Sequence, residues 1–393
     1  MQDQPEIDRT GAVGATTKQV RVTHVITNLT IGGAEMMLYK LLVGLGEARR
    51  GHAVIVLGSG GPLMDRIMQL GVPVYPLGMG IRRPDWIVRF RQSLRALNPD
   101  IIHAWMYHAN IVSALAPAIL GRKVPVVWGI RAALDPSHSH PLFTMYVVRA
   151  GAWLSSRPAR IVYNSVTSAR QHQLAGYVAR HGVVIPNGFD CEVLAPSAQA
   201  RISIRRELGL DANTPLIGLI ARFDPNKDFG TFIKAIAPML VAQPDAHVLM
   251  VGRGVDRNNQ ALTQLLMNNV DARRVHLLGE RTDVPAVCAA LDVGCSSSIT
   301  EAFSNSIGEA MACGVPCVVT DVGDSAYLVG STGIVVPAGD APAMTRALLQ
   351  LLRLSSVERS ALGASARQRI RQCFSLDSVV KSFTHLYHDV LLS

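Results

Sequence analysis

The sequence predicts an α/β fold made of two parallel sheets, each flanked by helices, built one after the other and facing each other across a cleft. Three observations predict it. Short Val- and Ile-rich runs alternate with longer amphipathic segments along nearly the whole chain, which is the pattern of βα units. The alternation lapses between about 189 and 210 and restarts at 216. The 393 residues are enough for two domains, each with its own core. With 49% hydrophobic and 17% charged residues, the chain lies outside the disordered class. The expected divisions are a disordered tail over 1–18, a first domain over 19–190, a second over 191–375 and a last helical segment over 376–393.

Residues 1–18 are polar and acidic. They lack the basic start and apolar centre of a signal peptide, so a disordered tail is expected. The first strand spans 20–27. It leads into NLTIGGAE, 28–35, ahead of a helix over 36–45. Gly32 and Gly33 either admit a ligand close to the backbone or form a plain turn. No dinucleotide fingerprint is present, because G-x-G-x-x-G is absent here and Gly252-Arg253-Gly254 is followed by Arg257 at the third glycine's place. Strands over 52–57 and 72–77 enclose a helix over 63–70. A helix over 84–97 follows, with Pro84 in its first turn. Trp86, Ile87, Phe90, Leu94 and Leu97 recur there at helical spacing among Arg82, Arg83, Arg89, Arg91 and Arg95. That helix either rests on an anionic membrane or turns its apolar face to the core.

The strand over 100–105 contains His103, read as a core histidine, and a loop is expected over 106–110. His108 in that loop sits at a strand's carboxyl end, where open α/β sheets bind ligands, and is a candidate active-site and acceptor residue. Arg131, just past the strand over 124–130, is a second candidate acceptor contact. The loop 135–141, DPSHSHP, does not read as a metal site. A helix over 142–154, a strand over 160–164 capped into the next helix by Ser165, a strand over 183–186 and the Asn187-Gly188 turn complete the first half.

The second half opens with a basic helix over 201–208. Strands follow over 216–221, 247–251, 275–278, 293–296, 317–320 and 334–336, then helices over 343–354, 357–372 and 377–391. Arg222 and Lys227 lie beyond the strand over 216–221, where two cations would neutralise a diphosphate leaving group. The GERTD loop, 279–283, places Arg281 and Thr282 at the edge of a nucleotide base.

The most informative stretch is TEAFSNSIGEAMACGVPCVV, 300–319. Glu301 precedes an expected helix that Ser304 or Asn305 would cap, and Glu309 lies about one turn inside it. Free first-turn amides at the positive end of the helix dipole suit a phosphate. One carboxylate for a sugar, one for a ribose and amides between them describe a nucleotide-sugar site.

The net charge of +9 favours anionic partners. Nucleic acid is not among those expected, because no basic–aromatic interleaving or reading motif supports it. Cys313 and Cys317 have no second ligand pair, so zinc is not expected, and the six cysteines fit reduced, buried thiols. No apolar run approaches the roughly 20 residues that span a bilayer, so a cytoplasmic protein is expected, peripheral to the inner membrane face if the helix over 84–97 docks there.

Taken together, the paired glutamates in EAFSNSIGEAMACGVPCVVTD, GGAE at 32–35, Arg222 with Lys227, GERTD and PNG at 186–188 resemble the family 4 retaining glycosyltransferases of the GT-B fold. The resemblance covers nearly everything after residue 18. It implies two facing Rossmann-like domains with an interdomain cleft, the last helix crossing back to the first domain. It implies that Arg222 and Lys227 bind the donor diphosphate, Glu309 the ribose and Glu301 the transferred sugar. Phe303, Ser304, Asn305, Ser306 and Ile307 would touch phosphate and sugar through their amides, and Gly33 the phosphate. One departure is Trp105, which stands where many members have a sugar-contacting His; His108 is the expected substitute. The implied reaction is metal-independent, cofactor-free transfer from a nucleotide diphosphate sugar, a UDP-sugar, to an acceptor hydroxyl with retention at the anomeric carbon. The acceptor expected from the basic Trp86 helix and the Arg surplus is a lipid-linked sugar, as in polysaccharide or glycolipid assembly, with a soluble acceptor as the alternative. A sugar-nucleotide epimerase and a non-catalytic nucleotide-sugar-binding scaffold are the alternatives.

Overall fold

The computed structural model describes residues 19–80, 85–134 and 142–393. The tail 1–18, Arg82, Arg83, Pro84 and the loop 135–141 lie outside the described residues. The first sheet contains β1 Val22–Ile26, β2 His52–Val56, β3 Val74–Pro76, β4 Ile101–Trp105, β5 Val126–Ile130, β6 Arg160–Tyr163 and β7 Gly182–Val184, in the order β3-β2-β1-β4-β5-β6-β7. The second contains β8 Leu216–Ile220, β9 His247–Val251, β10 Val275–Leu277, β11 Val293–Ser296, β12 Cys317–Thr320 and β13 Ile334–Val336, in the order β10-β9-β8-β11-β12-β13. Neighbouring strands are parallel throughout. Every residue of β1, β2, β4 and β5 is buried, Thr23, His24, His52 and His103 included, as expected of strands covered on both faces. Strand order reverses between β1 and β4 and again between β8 and β11. The crevices outside the carboxyl ends of those strands are where such sheets accept ligands.

The chain crosses between the two sheets twice, and the crossings are bonded to each other. The Phe189 amide donates to the Phe374 carbonyl at 3.0 Å, and the Leu376 amide donates to the Phe189 carbonyl at 2.8 Å. Beyond this point the helix Leu376–Leu392 packs Val379, Phe383, Leu386 and Tyr387 against Met37, Leu41 and Trp105 beneath the first sheet.

Three local expectations are corrected. The segment 106–110 is not a loop. Met106 turns at φ 71 and the helix Tyr107–Ser113 starts at once, because Tyr107, Ala109, Asn110 and Ser113 all bury against the sheet. The helix expected over 84–97 is observed as Trp86–Leu97, with Phe90 and Leu94 buried and Trp86 and Leu97 packed on the same core, so its aromatic face is spent inside the protein. Of the six cysteines, Cys373 is exposed and the other five are buried. Among the described residues no helix is long and apolar enough to cross a membrane.

Beneath the first sheet lies a cluster of buried imidazoles. His24 Nε2 and His52 Nδ1 share a hydrogen bond of 2.9 Å, Trp105 donates to His24 Nδ1 at 3.2 Å, and His103 Nδ1 meets the Tyr387 hydroxyl at 2.7 Å. His103 is therefore a core histidine. Burial pushes His24 and His103 well below the usual imidazole range and His52 down to about 4. These bases bind protons in the unfolded chain before they do so in the folded one. Their stabilising contribution is complete above about pH 6.5 and is lost as the pH falls toward 4, at about 1.4 kcal/mol per pH unit for each proton. Glu35 and Glu309, whose carboxyls burial raises, act in the opposite direction. The expected outcome is a melting temperature that is flat above pH 7 and drops steeply between pH 6.5 and 4, with a shallower slope in His52→Asn. A profile unchanged by that substitution would count against the linkage.

Candidate functional site

A cavity of about 530 Å³ opens between the two sheets at their carboxyl ends. The second half supplies most of its wall. Arg222, Asn226 and Lys227 come from the segment after β8, Gly252 and Arg253 follow β9, Glu280 and Arg281 follow β10, and 300–306 with Glu309 follow β11. The first half contributes Ile31, Gly33, Arg131, Asn164 and Asn187.

The helix Asn305–Ala312 is aimed at this space. Ser304 occupies its N-cap position, but no side chain caps it, so the first-turn amides keep their donors for a ligand. Gly308 lets the helix approach the crossing segment, since a Cβ there would fall 2.0 Å from the Phe189 ring. Phe303 and Ile307 are buried; Phe303 packs between Phe189 and Phe374, and of the two only Phe303 lines the cavity.

Glu301 accepts from Ser298 Oγ at 3.1 Å and pairs with the Lys227 ammonium. The cation and the acid expected in separate roles are thus in direct contact. Lys227 is held by its backbone: its carbonyl accepts from Ser297 Oγ at 2.7 Å, and Asp224 caps the single turn Pro225–Lys227. Arg222 is half exposed and donates through Nε to Asp224 at 3.1 Å. Glu309 pairs with Lys40 of the helix Gly33–Gly44 at 3.5 Å; burial raises its carboxyl and Lys40 works against that rise. Asn305 Oδ1 accepts from Asn187 Nδ2 at 2.8 Å.

Arg131 is 9% exposed, donates to the Ile185 carbonyl at 3.0 Å and lies over the rings of Trp105 and Phe383. Burial pushes its guanidinium down to about 9. Among the described residues, its Nη2 and the Oδ1 atoms of Asn164 and Asn187 have no protein partner. Three polar groups on the first-domain wall are therefore unspent.

Three expected contacts, His108, Thr282 and Ile307, fall away from the cavity. His108 is carried on the helix Tyr107–Ser113, stacks on Phe143 at 5.8 Å and does not line the cavity; the helical turn after Met106 directs it there. Thr282 is exposed and also off the wall. Arg281 reaches the wall, but its guanidinium is engaged by Asp283 and Glu207 at 2.7 Å each, which raises its pKa. Among the described residues no group of three His, Cys, Asp or Glu side chains is placed to hold a metal ion.

Besides Asn187 to Asn305, sequence reasoning missed two links between the halves. One is Lys40 to Glu309. The other is Asp324, whose carboxylate accepts from the Val166 and Thr167 amides at 2.8 and 3.0 Å, at the start of the helix Val166–Leu174. Both join residues more than 150 positions apart, and neither leaves a local pattern.

With this geometry in view, comparison with known proteins is informative. Residues 31–193 match the family model for Glycosyltransferase Family 4, and residues 214–354 match that for Glycosyl transferases group 1. The N-acetyl-alpha-D-glucosaminyl L-malate synthase of Bacillus anthracis is 25% identical, over 92% of this chain and 95% of that one. The lipopolysaccharide core biosynthesis mannosyltransferase LpsB of Rhizobium meliloti is 26% identical, over 82% and 90%. Anabaena HepE, solved in complex with UDP-glucose, superposes with a TM-score of 0.82 at 23% identity, covering 94% of this chain and 99% of that one. That last likeness establishes a shared fold.

Proposed function

Because the chain belongs to the family 4 glycosyltransferases of the GT-B fold, we propose that it moves a sugar from a UDP-sugar to a hydroxyl of a lipid-linked sugar, with retention at the anomeric carbon. One observation carries this reading. The cavity brings the uncapped start of the helix Asn305–Ala312, the two acids Glu301 and Glu309 and the cations Arg222 and Lys227 to the same wall. Amides and cations suit a diphosphate, and the acids suit the hydroxyls on either side of it.

In this proposal Glu309 holds the ribose, Glu301 orients the transferred sugar, and Gly33 and the amides of 303–306 contact phosphate and sugar. Arg222, Lys227 and the first-turn amides offset the charge that grows on the leaving diphosphate, so no metal is required for that task. The acceptor attacks from the side the diphosphate leaves, and the diphosphate helps to take its proton. Arg131 faces the acceptor side, where its free Nη2 has a donor to give. The two walls position donor and acceptor together, and their closure excludes water.

Thermal stabilisation by UDP and by GDP tests the donor half. A ligand that binds only the folded chain stabilises it by about 2.7 kcal/mol at a hundredfold excess over Kd. UDP should raise the melting temperature, and Glu309→Ala should abolish the rise. No shift with either nucleotide would overturn the reading of this cavity as a nucleotide site. A shift retained in Glu309→Ala would remove the ribose role alone.

A further inference from the structure

The helix Leu142–Leu154 presents a face that the described residues leave uncovered. Phe143, Tyr146, Ala150 and Trp153 follow one another at three- and four-residue steps, and all four are exposed: Phe143 at 68%, Tyr146 at 66% and Trp153 at 79%. The opposite side of the helix, with Met145, Val148 and Ala152, packs into the first-domain core, so the outward aromatics are not displaced core residues. Three large rings on one exposed face are expensive in water, and each needs an apolar phase to enter.

The stretch of sequence that contains this helix is one-sided in charge. Between 101 and 189 the chain has eight Lys and Arg (Arg122, Lys123, Arg131, Arg149, Arg157, Arg160, Arg170, Arg180) and a single acid, Asp135. That interval carries +7 of the chain's +9 by direct count. Arg149 is exposed beside the aromatic face, and the Arg157 guanidinium lies 6.0 Å from the centre of the Trp153 ring. Aromatic rings with arginines beside them suit the boundary between anionic head groups and acyl chains, where the rings partition and the cations remain with phosphate. The same segment also reaches the site. Arg131, Ala132 and Ala133 stand on the cavity wall, and His108 packs on Phe143.

We infer that the exposed Phe143–Tyr146–Trp153 face is the surface by which this protein docks on an anionic lipid bilayer. The inference builds on the proposal of a lipid-linked acceptor and replaces the 82–97 stretch, whose aromatic face is buried, as the membrane contact. Docking there sets the first-domain wall of the cavity beside the membrane surface.

Co-sedimentation with phosphatidylglycerol–phosphatidylcholine vesicles, without donor or acceptor, tests it, so a negative result leaves the transfer chemistry standing. The full chain should bind these vesicles, bind pure phosphatidylcholine about tenfold less well, and be released by high salt. In a Trp86→Phe background, Trp153 fluorescence should shift to the blue on binding, since Trp105 and Trp128 are fully buried already. The triple variant Phe143→Ser, Tyr146→Ser, Trp153→Ser should lose binding at least about tenfold while keeping its nucleotide-induced melting shift. The double variant Ile87→Ser, Val88→Ser, which removes the exposed apolar pair on the other helix, should bind as the parent does. Absence of vesicle binding, binding undiminished in the triple variant, or binding lost in the double variant would each overturn the assignment. So would a dimer that dissociates in the triple variant, which would give the face to a second copy of the chain.

Discussion

Lys227→Ala and Glu301→Ala should each lower turnover by roughly 10²–10³-fold, with the loss in kcat rather than in acceptor KM. The reason is electrostatic. Lys227 follows β8 on a turn fixed by Asp224 and by Ser297, so its ammonium is held in place on the cavity wall. A charge held ready where negative charge develops costs no reorganisation at the moment of reaction. Glu301 is its contact partner, and each variant also strands the other group: without Lys227, the Glu301 carboxylate keeps, among the described residues, Ser298 Oγ alone. Lys227→Met, similar in length but uncharged, separates charge from bulk and should fail as the alanine variant does. Initial rates with a radiolabelled sugar donor measure the effect, and melting curves of the variants confirm folding. Near-normal turnover in either alanine variant would sink the assigned roles.

Asp292→Ala should destabilise the second half of the molecule by about 3–5 kcal/mol, the usual cost of removing one partner from a buried ion pair. Asp292 accepts from Arg205 at 2.6 Å, from Arg201 at 2.8 Å and from the Leu216 amide at 2.8 Å. Arg205 is 1% exposed. Burial pushes its guanidinium down and Asp292 pulls it back up, so the charge is tolerated only because the acid is there. The Asp211, Thr214 and Ala290 carbonyls also accept from Arg205 but bring no compensating charge. Arg201, which is partly exposed, should cost under about 1 kcal/mol on replacement by alanine. Urea unfolding of the two variants gives the comparison. Equal midpoints for Asp292→Ala and Arg201→Ala would refute the buried-charge account.

The strands were the most legible part of the chain. Runs such as VVWGI in β5 are buried on both faces, and that demand writes itself into consecutive residues. The helix start after β11 was legible for a related reason, since small and polar residues leading into an apolar run mark a chain end that must satisfy its own amides. His108 was misread because its position at a strand's carboxyl end was visible, whereas the helical turn that rotates it onto Phe143 depends on four buried neighbours. Lys40, Asp324 and Asp292 were invisible for a different reason. Each meets a partner far away in sequence, and a lone charged residue reads as surface until the fold puts something beside it.

The return of residues 376–392 to the first sheet has a consequence for biosynthesis. Leu376, Val379, Phe383 and Tyr387 complete a core whose other walls, β1, β2 and β4, leave the ribosome hundreds of residues earlier. Until those last residues emerge, Met37, Leu41 and Trp105 lack their cover, while the second sheet already has all its strands. Vectorial synthesis usually finishes the N-terminal unit first. Here the order is inverted, and the nascent chain must shelter an open apolar surface through most of its translation.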